Sequence, residues 1–443
     1  MALGATEMPC RPARGVRLYR LGVVMLIALT VVLDGLDNQM LGLAAPALLH
    51  EWGLKRSVLG GIFALGFVGM ALGTLLAGQI GDQYGRRVAL LLGVALFGAA
   101  TLATGYAGAV WHLALLKAVA GVGLGGVPGT AAAMIAEFTT ARWRSLAVTF
   151  GVVCVSIGGI LGGGMAATLL PLLGWRWLFW ASGALTMVVA LILLRCLPES
   201  PGFMARDATR RDELARLLRR LGEASAAAPP RAVVALPPMG ELMKGDLARS
   251  TMGLSAAMLS GMFLIYLMFN WAPMLLSAQG FSLRETSLGL TWFNMGGTLG
   301  AMLAALAIMR VGSRLTLPLM AGLGALVCAL LASLPTLLAG HGAGVMVGLA
   351  LLGLTASAAQ SAMFALGAHA FPLPLRARGM GLMGAAGRIG ALASAFAGSW
   401  LVVGWSGFFA TLGALMVVNM ASFLAVRGHI PPLGRGRTED LQG

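Results

Sequence analysis

Twelve stretches of this chain are each apolar over the length needed to cross a lipid bilayer, and no other feature restricts its fold so strongly. They fall near residues 21–47, 58–80, 88–109, 112–136, 146–168, 177–196, 251–276, 287–309, 315–337, 342–367, 379–402 and 405–426. A spanning helix needs about 20 such residues. Inside hydrocarbon every backbone N–H and C=O must find its partner within the segment, so long continuous runs predict helices. A transmembrane barrel would instead show alternating strands of about ten residues. Charged residues make up only 11% of the 443, against about a quarter in a soluble domain. The expected fold is an all-α integral membrane protein with twelve transmembrane helices in two six-helix pseudo-repeat bundles.

The net charge of +15 resembles that of a nucleic-acid binder, but its placement points to membrane topology. With the twelve runs threaded back and forth, one side collects Arg11, Arg14, Arg17, Arg20, Arg86, Arg87, Arg142, Arg144, the basic residues between Arg195 and Arg249, Arg310, Arg314, Arg376, Arg378 and Arg427. The other side has only Lys55, Arg56, Arg176 and Arg284, while Lys117 and Arg388 lie within runs. This is the positive-inside asymmetry of cytoplasmic loops. It predicts both termini and the central loop on the cytoplasmic side of the membrane, with no nucleic-acid partner. The first run is far longer than the 7–15 residues of a signal-peptide core and is expected to be retained. Cys10, Cys154, Cys196 and Cys328 show neither metal-ligand spacing nor a disulfide framework.

The expected divisions are a tail at 1–20, a first bundle at 21–196, a central cytoplasmic loop at 197–250, a second bundle at 251–426 and a tail at 427–443. Within the loop, Leu214, Leu217, Leu218 and Leu221 carry the spacing of an amphipathic helix. The halves echo each other. ARWRS (Arg142, Arg144) and LRARG (Arg376, Arg378) precede the fifth and eleventh runs, and GQIGDQYGRR has a degenerate counterpart in AIMRVGSR. Parallel six-helix repeats with a midplane site between them are a transporter architecture. The 64 glycines fall often at small-xxx-small spacing, which serves close helix packing and equally the sliding of helices past one another.

Charge inside the runs marks the candidate site. Asp34 and Asp37 lie in the uncharged stretch from Leu21 to Leu49, close to its midpoint. An aspartate there costs about 2.5–3.5 kcal/mol on insertion scales, so both are expected to face a bundle interior or a watery cavity. A midplane carboxyl group that takes up and releases a proton is what proton coupling requires. A fixed ion pair, or capping of a helix broken near Gly35, is the alternative. Arg388 lies ten residues beyond Arg378, about 15 Å into its helix. Its planar fork suits a carboxylate, either that of an anionic substrate or that of Asp34 or Asp37. Lys117 is read as reaching back to the interface or as drawing anions to a cavity mouth, and His369 as an interface histidine or a proton relay.

At the rim, Gly78 and Gly85 permit the turn of GQIGDQYGRR, while Asp82, Arg86, Arg87, Glu137, Arg142 and Arg144 supply charge. Arg86 can reach Glu137, as a state-dependent gate or as a static pair. Asn38, Gln39, Tyr266, Asn270, Trp271, Trp292, Phe293, Asn294 and Gln360 are candidates for lining a pocket for a flat apolar anion.

These stretches carry a resemblance. GQIGDQYGRR looks like the loop motif of the major facilitator superfamily. DGLD (34–37), KAVAGVGLGGVPGTAAAMIAEFTTARWR (117–144), NWAPMLL (270–276) and FPLPLRARGMGLMGAAGRIGA (371–391) resemble segments of its aromatic acid/proton symporter family. The resemblance implies the major facilitator fold and proton-driven import of an aromatic carboxylate such as a hydroxybenzoate, benzoate or phenylpropionate. Asp34 and Asp37 would be required for transport, Asp82 and Arg86 for gating, and Arg388 for the anion. Lys117 stands where the family usually has arginine, and Met309 where an aspartate would match Asp82.

An efflux antiporter, or an importer of another small organic anion or metabolite, is the competing reading. Efflux relatives often have a Gly-Pro pair in the fifth helix, which SIGGILGGGMAA lacks. Five histidines and four cysteines form no catalytic or metal constellation, so no enzyme and no cofactor is expected. The absence of a glycine-lysine phosphate loop points to the proton gradient rather than ATP as energy source. Protons, a small organic anion and the bilayer are the expected partners of a monomer.

Overall fold

The computed structural model describes residues 14–140, 143–222, 238–333, 342–402 and 404–432. Among the described residues, twelve helices are long and apolar enough to span a membrane. Six precede the central segment: α1 (Arg14–Trp52), α2 (Arg56–Gln83), α3 (Arg86–Thr104), α4 (Val110–Phe138), α5 (Arg144–Leu173) and α6 (Trp175–Cys196). Two short helices follow, α7 (Pro201–Met204) and α8 (Arg211–Arg220). The second six are α9 (Gly245–Ala278), α10 (Leu283–Val311), α11 (Ser313–Ser333), α12 (Gly342–Ala370), α13 (Arg376–Leu401) and α14 (Trp405–Ala425). Among the described residues there is no strand. Helix ends depart from the expected spans: α1 begins earlier, at Arg14, and α3 stops at Thr104. The turn α7 was not foreseen, because its residues read as the start of a polar linker.

Local chemistry sets the ends. Gly174 (φ 84°) and Gly312 (φ 82°) each form a one-residue hinge between consecutive helices, and Gly85 (φ 107°) with Tyr84 forms the two-residue turn from α2 to α3, all three glycines in a region costly for residues with a Cβ. At α10, Ser282 and Glu285 cap each other reciprocally, which satisfies backbone donors that would otherwise be orphaned. In α8, Leu217 is buried and the guanidinium of Arg20 donates to the carbonyl of Leu221, fastening this helix beneath α1.

Packing repeats after six transmembrane helices. In the first half α2 lies on α4, α1 on α5 and α3 on α6; in the second α10 lies on α12, α9 on α13 and α11 on α14. The halves meet where α5 packs on α10, α2 on α13 and α1 on α9. Small residues make these approaches possible. A Cβ on Gly73 would lie 2.0 Å from the Val122 carbonyl oxygen, and one on Gly353 would lie 1.9 Å from that of Phe293. Leu75, Leu172, Leu306 and Trp400 point outward, as a lipid-facing surface requires. Arg142 and parts of both tails and of the central loop lie outside the described residues.

Candidate functional site: a cavity between the two bundles

Residues from α1, α2, α4 and α5 face residues from α9, α12 and α13 across a cavity of about 580 Å³. Gly78, Gly81, Asp82 and Arg86 belong to its wall, so it extends to the end of the bundle where the arginines gather. Its opposite end is closed by helix contact. A Cβ on Gly42 of α1 would sit 2.1 Å from the Phe269 carbonyl oxygen of α9, and one on Gly60 of α2 would sit 2.8 Å from that of Ala395 of α13. Gln39 and Asn294 reinforce the closure by exchanging amide hydrogen bonds between α1 and α10, at 3.2 and 2.9 Å.

The two first-helix aspartates diverge. Three residues turn a helix by about 300°, so their side chains point about 60° apart. Asp34 lines the cavity, where Asn38 Nδ2 donates to its Oδ1 at 3.2 Å. Asp37 turns into the first bundle instead, accepting from the Thr101 hydroxyl and pairing with Lys117 Nζ at 3.3 Å. Lys117 therefore does not reach back to the interface. Its methylenes run across Gly66, where a Cβ would lie 3.1 Å from Lys117 Cγ. The Asp37 carboxylate compensates the partly buried ammonium, and so holds the side chain inside the bundle.

Arg388 lines the cavity from α13. Its Nη2 donates to the Thr74 hydroxyl of α2 at 3.0 Å. Among the described residues it forms no ion pair, so it is bonded to neither aspartate, although Asp34 and Tyr266 lie within its electrostatic reach. Tyr266, Phe269, Phe364, Met258 and Met262 provide the apolar wall. The cavity thus offers one guanidinium without a carboxylate partner, one carboxyl group capped by an amide, and flat apolar surface between the bundles.

The remaining pocket candidates divide. Asn38 and Gln360 line the cavity. Gln39 and Asn294 are occupied with each other in the closed end. Asn270 and Trp271 are buried in that end too, with Nδ2 and Nε1 unpartnered among the described residues; Trp271 packs edge-on to Phe63 at 5.5 Å. Trp292 is 43% exposed on the outer face of α10, away from the cavity, because the small residues of α10 take the inward positions. Phe293 is fully buried in packing, and His369 is exposed at the end of α12.

The rim charges form a joint within the first bundle. Arg86 pairs with Glu137, tying α3 to α4, and Glu137 also accepts from the Ser200 hydroxyl and from the Gly202 N–H at 3.3 Å. Glu199 accepts the Arg87 N–H at 3.0 Å and lies where a Cβ on Gly85 would fall, 2.3 Å away. Asp82 reaches Arg206 at 3.6 Å in solvent, and Arg144 Nε donates to the Ala136 carbonyl at 2.9 Å. Gly78 lines the cavity with open space around it. None of these bonds crosses to the second bundle, so here they do not bar the mouth. Sequence reasoning missed Glu199, Ser200, Thr74 and Thr101. The first two read as the opening of a linker. The hydroxyls look like ordinary helix threonines that bond the preceding turn, as Thr104 does to the Ala100 carbonyl.

The chain is 32% identical to the 4-hydroxybenzoate transporter of Pseudomonas aeruginosa over 92% of each chain. It is 31% identical to the gallate transporter of Pseudomonas putida over 86% of this chain and 85% of that one. The inward-open xylose transporter of E. coli superposes with a TM-score of 0.75 at 16% identity, covering 95% of this chain and 99% of the other, a likeness of fold. Residues 27–339 and 254–441 match the family model of the Major Facilitator Superfamily. The chain belongs to that superfamily, as a multi-pass membrane transporter and not an enzyme.

Proposed function

We propose that this protein imports an aromatic carboxylate across a bacterial inner membrane, driven by co-transported protons and without a bound cofactor or ATP. The observation that carries the reading is Arg388, a guanidinium in the cavity wall with a hydroxyl but, among the described residues, no carboxylate for a partner. Such a group attracts an anion strongly where water is scarce. Tyr266, Phe269 and Phe364 beside it suit a flat ring, and relatives named for 4-hydroxybenzoate and gallate support the same substrate class.

Asp34 is the proton carrier in this scheme, since it faces the cavity while Asp37 is held by Lys117. The anion pairs with Arg388 and the proton neutralises Asp34, so the loaded site carries no unpaired charge, which eases the passage of both through the closed intermediate of alternating access. The arginine-rich end is cytoplasmic by the positive-inside rule, with the termini on that side, so the cavity faces inward. Trp271 and Asn270 then belong to the closed outer gate, and the protein acts as a monomer.

Cells expressing the protein should accumulate radiolabelled 4-hydroxybenzoate, and a protonophore should abolish that accumulation. Accumulation that persists after the gradient collapses removes the proton coupling. Expulsion of preloaded acid favours the efflux alternative.

A further inference from the structure

The Thr74 hydroxyl is more heavily engaged than a helix threonine needs to be. It lies 2.9 Å from the Met70 carbonyl oxygen on its own helix, 2.7 Å from the Gly125 carbonyl oxygen on α4, and 3.0 Å from Arg388 Nη2 on α13. A hydroxyl has one proton and two lone pairs. The two carbonyls compete for the proton, and a lone pair is left facing the guanidinium. The neighbouring glycines bring the carbonyls close: a Cβ on Gly125 would meet the Met70 carbonyl oxygen at 2.0 Å, and one on Gly73 would meet that of Val122 at 2.0 Å. The backbone of two helices therefore fixes where this oxygen points.

The geometry points to Thr74 as the positioning residue that sets the orientation of Arg388 for an anionic substrate. This assignment rests on the aromatic-carboxylate reading of the cavity. A guanidinium carries five N–H donors in a rigid plane, and the bond to Thr74 uses one of them. Among the described residues the others have no partner, which leaves them for a two-point grip on a carboxylate, and the bond stops the plane from rolling about its long stem. Tyr266, within electrostatic reach of Arg388, lines the same cavity. Ordering the guanidinium before the anion arrives removes an entropic cost of binding.

The test measures initial uptake of 4-hydroxybenzoate in proteoliposomes containing wild-type, Thr74→Val or Thr74→Ser protein, with thermal midpoints of the empty proteins alongside. Valine keeps the volume and loses the acceptor. It should raise KM roughly tenfold, the worth of one charge-assisted hydrogen bond, and leave the maximal rate within about twofold. Serine should restore the wild-type KM. An unchanged KM in Thr74→Val, or a loss confined to maximal rate and thermal midpoint, overturns the assignment and leaves Thr74 a packing residue. Failure of serine to rescue overturns it too, since the hydroxyl would not be the active feature. If wild-type protein transports neither 4-hydroxybenzoate nor benzoate, the aromatic-acid reading itself falls, and the assignment falls with it.

Discussion

Lys117 Nζ lies 3.3 Å from Asp37 Oδ2, joining α4 to α1 with both side chains withdrawn from the cavity. The pair takes one of the two midplane aspartates out of direct contact with substrate. Removing one partner of a buried pair leaves an uncompensated charge, at about 3–5 kcal/mol. Lys117→Met should therefore lower the thermal midpoint of purified protein sharply, and adding Asp37→Asn should recover most of the loss. A single variant as stable as wild type would mean that the pair is not buried in the membrane-embedded protein.

Asp34→Asn should abolish accumulation of 4-hydroxybenzoate against a gradient while preserving exchange of external for preloaded acid. Exchange needs no net proton movement, whereas accumulation does. Counterflow and uptake assays on one preparation separate the two, and full accumulation in the variant would shift the proton to another group.

Glu137 accepts from Arg86, Ser200 and the Gly202 N–H. Hydrogen bonds to charged groups contribute about 1.5–3 kcal/mol each, so Glu137→Ala should lower the thermal midpoint, and Glu137→Gln by less. Asp82→Asn should leave it unchanged, because the Asp82–Arg206 pair is solvated and exposed pairs contribute little. Equal effects in the two positions would contradict the joint described at this rim.

Gly353→Ala would place a methyl group 1.9 Å from a carbonyl oxygen of α10, whereas a Cβ on Gly164 meets nothing within 4 Å. The first substitution should cost about 1–3 kcal/mol or more and reduce the yield of monodisperse protein. The second should stay within about 1 kcal/mol of wild type. Size-exclusion profiles and melting curves compare them directly.

His429 docks beside the turn between α10 and α11: its Nδ1 lies 3.1 Å from the Ser313 hydroxyl, and Ser313 N–H donates to the Ile430 carbonyl at 2.9 Å. Burial holds the imidazole below its usual 6.5, with the charges of Arg314 and His369 acting the same way and the carbonyls of Phe423 and Val426 opposing. A lowered histidine binds fewer protons folded than unfolded. Its contribution is therefore complete above about pH 6.5 and fades as the pH falls towards the folded-state value. Cleavage by a protease after Arg427 should accelerate as the pH drops below about 6.5, after correction for enzyme activity, and His429→Asn should flatten that profile.

The twelve spans were legible in the sequence because hydrocarbon imposes one length and one composition on any helix that crosses it. The turn at Gly85 and the basic end could be read for similar reasons, since each follows from local chemistry. Charge inside the runs could be located as well: Asp34, Asp37, Lys117 and Arg388 interrupt apolar stretches, and a lipid solvent makes every such interruption costly. Their partners could not be read. The choice of Lys117 for Asp37, of Thr74 for Arg388 and of Gln39 for Asn294 depends on rotations about helix axes and on how closely glycine lets neighbouring backbones approach. Those are properties of the packed bundle. A turn of about 60° between Asp34 and Asp37 sent one to the cavity and the other to a buried ammonium, and the outward rotation of Trp292 removed a residue that composition alone had placed in the pocket.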